Sequence, residues 1–169
     1  IHWSNYGMCL VIDSLIKYIE NKRGIDIPEF YWNDIEITEK YREPDYDLGE
    51  GLNLIFKLGT SKLAYPKYII NDQKSKVKPN VLVIADSFYW GIFNMLVSKK
   101  IFNNSPFWYY NHEIYPQSKD KTRYVDQLNL KKEIEKQDII ILMQTEATLS
   151  RLSFGFIDSV YKIYKRDKK

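Results

Sequence analysis

Val81-Leu-Val-Ile-Ala85, followed at once by Asp86-Ser-Phe88, is the stretch whose reading decides the fold. A continuous run of apolar, largely β-branched residues fits a strand covered on both faces rather than one with a wet side. It stops at an aspartate and a serine, residues that favour the start of a helix. Ile92, Phe93, Leu96 and Val97 then recur at helical spacing, which predicts a helix over 88–99.

The alternation continues towards the C-terminus. Phe107-Trp-Tyr-Tyr110 reads as a second strand, and 124–136 as a helix carrying Val125, Leu128 and Ile134. Asp138-Ile-Ile-Ile-Leu-Met143 reads as a third buried strand, and Ile157, Val160, Tyr161 and Tyr164 as the stripe of a last amphipathic helix. Strands alternating with helices imply right-handed crossovers onto a parallel sheet. Upstream, Ser4 is a candidate cap for a helix over 5–21, with Met8, Val11, Ile12, Leu15, Ile16 and Ile19 as its apolar stripe and Gly24 as its stop. Between these regions, 25–78 has no clean period. Prolines punctuate short β-like runs at 34–38 and 68–70, with a turn at Asp47-Leu-Gly49, and the segment reads as an irregular, partly β insertion or lid. At 169 residues the chain fits one α/β domain, 1–169.

Composition narrows the function classes. Charged residues make up 28% and hydrophobic residues 44%, the balance of a folded globular chain. A net charge of +3, scattered along the sequence, gives no footprint for nucleic acid. No run is apolar enough to span a bilayer. A single cysteine, Cys9, excludes an internal disulfide framework, and its place on the apolar side of the first helix predicts a buried thiol. Aromatics reach 15%, which suits both sugar binding and core packing. No His, Cys and carboxylate set has metal spacing and no glycine-rich phosphate loop follows a strand, so neither metal nor cofactor is expected.

Ligands of parallel sheets bind outside the carboxyl ends of the strands. The residues just past those ends are Asp86 and Ser87, Asn111 and His112, and Gln144, Thr145 and Glu146. Ser87 reads either as a nucleophile or as a helix cap, with the first helical N–H groups as a place for an oxyanion. A serine nucleophile needs a base, and the chain has two histidines, His2 and His112, of which His112 is the fallback. Asp86 is expected to shape the turn, and Glu146 to brace its loop or touch substrate.

Val81-Leu-Val-Ile-Ala-Asp-Ser-Phe88 is similar to the GDSL/GDSF block of SGNH hydrolases, and His2-Trp3, followed by Tyr6-Gly7 and a helix, resembles the Asp-x-His-Trp motif of the alginate O-acetyltransferase and DHHW group. Asp47-Leu-Gly49, 107–116 and 138–146 also look like that group, in which the Asp/His block precedes the serine block. The resemblance implies a three-layer α/β/α sandwich with a parallel sheet, Ser87 as nucleophile and His2 as general base. It further implies acyl transfer to, or acyl-ester hydrolysis of, an extracytoplasmic carbohydrate, with an acyl donor that some members take from a membrane-bound protein. Ala85 departs from the usual glycine. The Asp of the motif would lie before Ile1, so the resemblance implies a domain incomplete at its N-terminus. The usual oxyanion donors have no clear match; Asn111 and Gln144 are the candidates, with Asp86, Glu146 and Trp3 as further substrate contacts. Two other readings stand beside the enzyme: a catalytically degenerate glycan-binding module of the same fold, and a piece of an assembly whose helices are partner surfaces.

Overall fold

The computed structural model describes residues 2–56, 58–59, 61–103, 105–118 and 121–166. It divides into two compact units, Ile1–Val77 and Lys78–Lys169. The boundary falls where the irregular stretch of sequence gives way to regular alternation.

In the first unit, α1 (Asn5–Arg23) is capped by Ser4, whose Oγ accepts from the Gly7 N–H. Its end is set by Gly24, at φ 62°, where the left-handed backbone needs no Cβ. Met8, Cys9, Ile12, Ile16 and Ile19 form the buried face. That face packs on an antiparallel pair, β1 (Glu29–Thr38) and β2 (Leu63–Asn71), which buries Phe30 and Tyr65. The runs at 34–38 and 68–70 that the sequence shows are only the C-terminal parts of these strands, because Pro66 and the bulge between Trp32 and Ile35 break the period of two. Arg42 holds the loop after β1 in place: its N–H donates to Tyr65 Oη, its guanidinium lies 4.4 Å from that ring's centre, and Glu36 pairs with it at 2.7 Å. A single helical turn and a half, α2 (Asp47–Gly51), follows.

The second unit is mixed α/β around a five-stranded sheet. Its strands are β3 (Val81–Ala85), β4 (Phe107–Tyr109), β5 (Glu113–Ser118), β6 (Lys121–Tyr124) and β7 (Ile139–Met143), in the spatial order β6-β5-β4-β3-β7. β7, β3 and β4 are parallel, while β5 and β6 are antiparallel additions, so the sheet is mixed rather than parallel throughout. All five residues of β3 are fully buried, as a central strand between two neighbours must be. Leu82, Ile84, Trp108 and Ile114 share one face with Phe156. On the other, Phe107 and Tyr109 meet Trp90. The helix expected over 88–99 is two short pieces, α3 (Tyr89–Asn94) and α4 (Val97–Lys100), split where Leu96 takes φ 65°. The helix expected over 124–136 is also shorter. Lys121–Tyr124 is strand, Leu128 is extended, and α5 (Leu130–Glu135) starts where Asn129 caps it by accepting from the Lys132 N–H. The last helix, α6 (Phe156–Arg166), lies as expected.

Candidate functional site

The first unit builds a histidine–carboxylate pair. His2 Nδ1 lies 2.8 Å from Asp47 Oδ2, and the same oxygen accepts from the His2 backbone N–H at 3.0 Å. The carboxylate beside His2 is thus that of Asp47, 45 residues along the chain. Burial opposes the charge of Asp47, but its hydrogen bonds, those from His2 among them, outweigh it and hold the carboxyl below the usual carboxylate range. A carboxylate on Nδ1 fixes the orientation of the ring and favours the tautomer that carries its proton there.

The neighbouring loop is shaped to make this contact. Asp45 accepts from the backbone N–H and the side-chain amide of Asn5, both at 3.0 Å, which satisfies the first turn of α1 from outside the helix. Between the two aspartates, the buried Tyr46 ring stacks on Tyr41 at 4.3 Å, and its hydroxyl donates to Leu58 O. A Cβ at Gly49 would stand 2.4 Å from that ring, so a glycine there lets Tyr46 lie flat against α2. Trp3, next to His2, is half-buried.

In the second unit, Ser87 is half-buried in the turn between β3 and α3, past the carboxyl end of the central strand. The turn is held by Asp86, 1% exposed, whose Oδ1 accepts from the Phe88 N–H. Its Oδ2 accepts from the Thr145 N–H at 2.7 Å, from Thr145 Oγ1 at 2.9 Å and from Thr148 Oγ1 at 3.0 Å. Asp86 thus ties the β3 turn to the segment after β7, the structural role read from its position. Thr145 stands at the strand end that the sequence marks; Thr148, one turn further on, carries no sequence signal of its own.

Asn111 and Gln144 prove to be braces. Asn111 Nδ2 donates to Phe154 O, and Gln144 Nε2 donates to Thr148 O and Arg151 O while its Oε1 accepts from the Ser153 N–H. Both Gln144 amide donors are thus taken up by its own loop, whereas Asn111 places one of its two on Phe154 O. Ser153, Phe154 and Gly155 have φ of 55°, 51° and 79°, and Tyr110 and Asn111 have 50° and 52°, so the carboxyl edge carries a cluster of left-handed backbone. Glu146 is exposed and opens the helical turns after β7. His112 is exposed beside Tyr124, at 5.0 Å between rings. The six residues of α3 give the turn only a short helix behind it, so the helix dipole expected from 88–99 is correspondingly weak.

Among the described residues, no group of three or more His, Cys, Asp or Glu could hold a metal ion. None of the described helices is long and apolar enough to cross a membrane. No family model, curated protein or solved structure matches the chain.

Proposed function

We propose that this chain performs serine-dependent acyl transfer to, or acyl-ester hydrolysis of, an exported or cell-envelope carbohydrate, as the permuted SGNH group does, within that group's α/β/α sandwich. The observation that carries the reading is the His2–Asp47 hydrogen bond, which gives an imidazole a fixed tautomer and a charge partner. It is supported by the position of Ser87 beyond the central strand, in a turn braced by Asp86. The left-handed residues at the same sheet edge add weight, since such backbone is retained chiefly where a site needs it.

In this mechanism Ser87 Oγ forms a bond to the acyl carbonyl carbon as a general base, the role that the family resemblance gives to His2, takes its proton. Collapse of the tetrahedral intermediate breaks the bond to the leaving oxygen, which takes the proton from His2. A sugar hydroxyl or water then attacks the acyl-serine, again giving its proton to His2, and Ser87 leaves with that proton. Asp47 acts as a positioning residue. The acyl donor, which relatives of this group take from a membrane-bound protein, and the extracytoplasmic setting belong to the same proposal.

The test combines turnover of an aryl acetate with labelling by a fluorophosphonate, the modified residue being located by mass spectrometry. The label should fall on Ser87. Ser87→Ala should lose turnover by about 10⁶ if the chemistry runs through it. Asp47→Asn should lower kcat by about 10⁴ if the carboxylate fixes the tautomer as in serine proteases. Label on another residue, or full turnover in Ser87→Ala, overturns the assignment. A folded wild-type chain with neither turnover nor label, but with retained glycan binding, would be the degenerate module instead.

A further inference from the structure

β7 ends one side of the sheet in the second unit, and among the described residues only β3 pairs with it. The Ile139 N–H donates to Asn80 O on the β3 side. By the alternation of a strand, Ile139, Ile141 and Met143 therefore turn their N–H and C=O groups to β3, and Ile140 and Leu142 turn theirs outward. Edge strands are ordinarily guarded by a charge, a proline or a bulge. Ile139–Met143 has none of these, and the Ile140 and Leu142 side chains are 37% and 39% exposed. A row of outward donors and acceptors selects its occupant: another extended backbone, with apolar side chains beside it.

The sequence of the strand says which backbone. Ile140 and Leu142 can bond only to outward-facing residues, which leaves a second antiparallel β7 three registers. Centred on Ile141, Ile140 of each copy exchanges both hydrogen bonds with Leu142 of the other, and all five apolar residues meet apolar residues. Ile140 and Leu142 then cover one another on the face that carries Leu82 and Ile84. The neighbouring registers set Leu142 against Asp138, or Ile140 against Gln144 with Asp138 across from Glu146. In a parallel pair the slanted bonds offset the two strands, so identical copies would make unequal contacts and could not close. The strand is thus its own complement in one register, about a two-fold axis through Ile141.

We propose that the chain forms a two-fold dimer by antiparallel pairing of β7 with β7 of a second copy, joining the two five-stranded sheets into one. The proposal does not rest on the acyl chemistry. The experiment is sedimentation of the full chain from about 1 µM to about 500 µM, where a modest interface dissociates, with amide exchange at both ends of that range. The mass should rise towards twice that of the monomer. The Ile140 and Leu142 amides should gain protection at the high concentration, while those of Ile139 and Ile141, turned to β3, keep theirs at both. Ile140→Lys and Leu142→Glu should each weaken the dimer at least about tenfold, since each change enters the interface twice. Mixed, the two variants should associate again, because the register sets the introduced ammonium against the introduced carboxylate. Far-UV circular dichroism checks that both fold, and exchange on the wild-type chain needs neither. A monomer at every concentration, a dimer with unprotected Ile140 and Leu142 amides, single variants that associate as wild type does, or folded variants that stay apart on mixing overturns the proposal. So does protection of both amides independent of concentration, which would put another segment of the same chain on this edge.

Discussion

Replacing Asp86 tests the architecture that presents Ser87, and its cost can be worked from the contacts. Asp86→Ala removes the acceptor of two backbone N–H groups, those of Phe88 and Thr145, and of two threonine hydroxyls. The Thr148 hydroxyl already has Thr145 O as an alternative acceptor at 3.1 Å, so its loss counts for little. The two N–H groups are part-buried, and each costs about 1–3 kcal/mol if it is left without a partner. With the cavity left by the carboxylate, the expected loss is about 3–5 kcal/mol. Asp86→Asn keeps the shape and can still accept from Phe88, but it turns an amide N–H₂ towards Thr145, for an expected loss of about 1–3 kcal/mol. Urea unfolding followed by circular dichroism reads both as a fall in midpoint at unchanged slope. Amide exchange should show the Thr145 N–H losing protection in either variant. A midpoint for Asp86→Ala within about 0.5 kcal/mol of wild type, or an unchanged Thr145 amide, would refute the claim that this carboxylate holds the two segments together.

Two further outcomes are expected. Gly49→Ala should destabilise the protein by about 1–2 kcal/mol in urea unfolding despite alanine's better helix propensity, because its Cβ meets the buried Tyr46 ring; a gain in stability would show that the ring yields freely. Tyr115, hydrogen-bonded to Glu113 at 2.6 Å, is pushed up to about 12 by that bond first and by burial second. Its folded value lies above the ordinary value near 10, so its contribution to stability is whole below about pH 10 and is lost as pH rises through about 12. Difference titration of the phenols against Tyr115→Phe should show one late-ionising group, and an ordinary phenol there would contradict the Glu113 contact.

What could be read from the sequence follows from how local each signal is. β3 lies where its apolar run placed it, because a central strand advertises its burial in five consecutive residues. α1 and α6 carried a helical period, and Cys9 is buried as expected, its thiol pushed up to about 11 by that burial. β5 and β6 were missed. Glu113–Ser118 has a proline within it, and Lys121–Tyr124 alternates lysine and arginine with threonine and tyrosine, so neither carries a hydrophobic pattern. The break at Leu96 was invisible because leucine is an ordinary helix former. At the candidate site, Ser87 and Asp86 were legible from a strand-to-helix transition, which is local. The His2–Asp47 pair joins residues 45 apart, and nothing in the spacing announces it. The amides of Asn111 and Gln144 sit at the strand ends foreseen for them, but the positions of their partners in the 151–155 backbone are set by a left-handed turn without a sequence signal beyond Gly155.

The pairing of β3 with β7 bears on how the second unit comes together in time. β4, β5 and β6 are joined by short connections and can zip as soon as they exist. β3 lies parallel to β7 with residues 86–138 between them, and closing a loop of that length carries a length-dependent entropy cost of about 3.5 kcal/mol. At ribosomal rates of ~5–20 residues per second, roughly 3–10 s pass between the emergence of Ala85 and that of Ile139. Through that interval Val81–Ala85, without a charge of its own, has no β7 along one side, the exposure that draws strands of separate nascent chains together. The strand that most clearly announces the fold is thus also the one for which a holding chaperone would matter most.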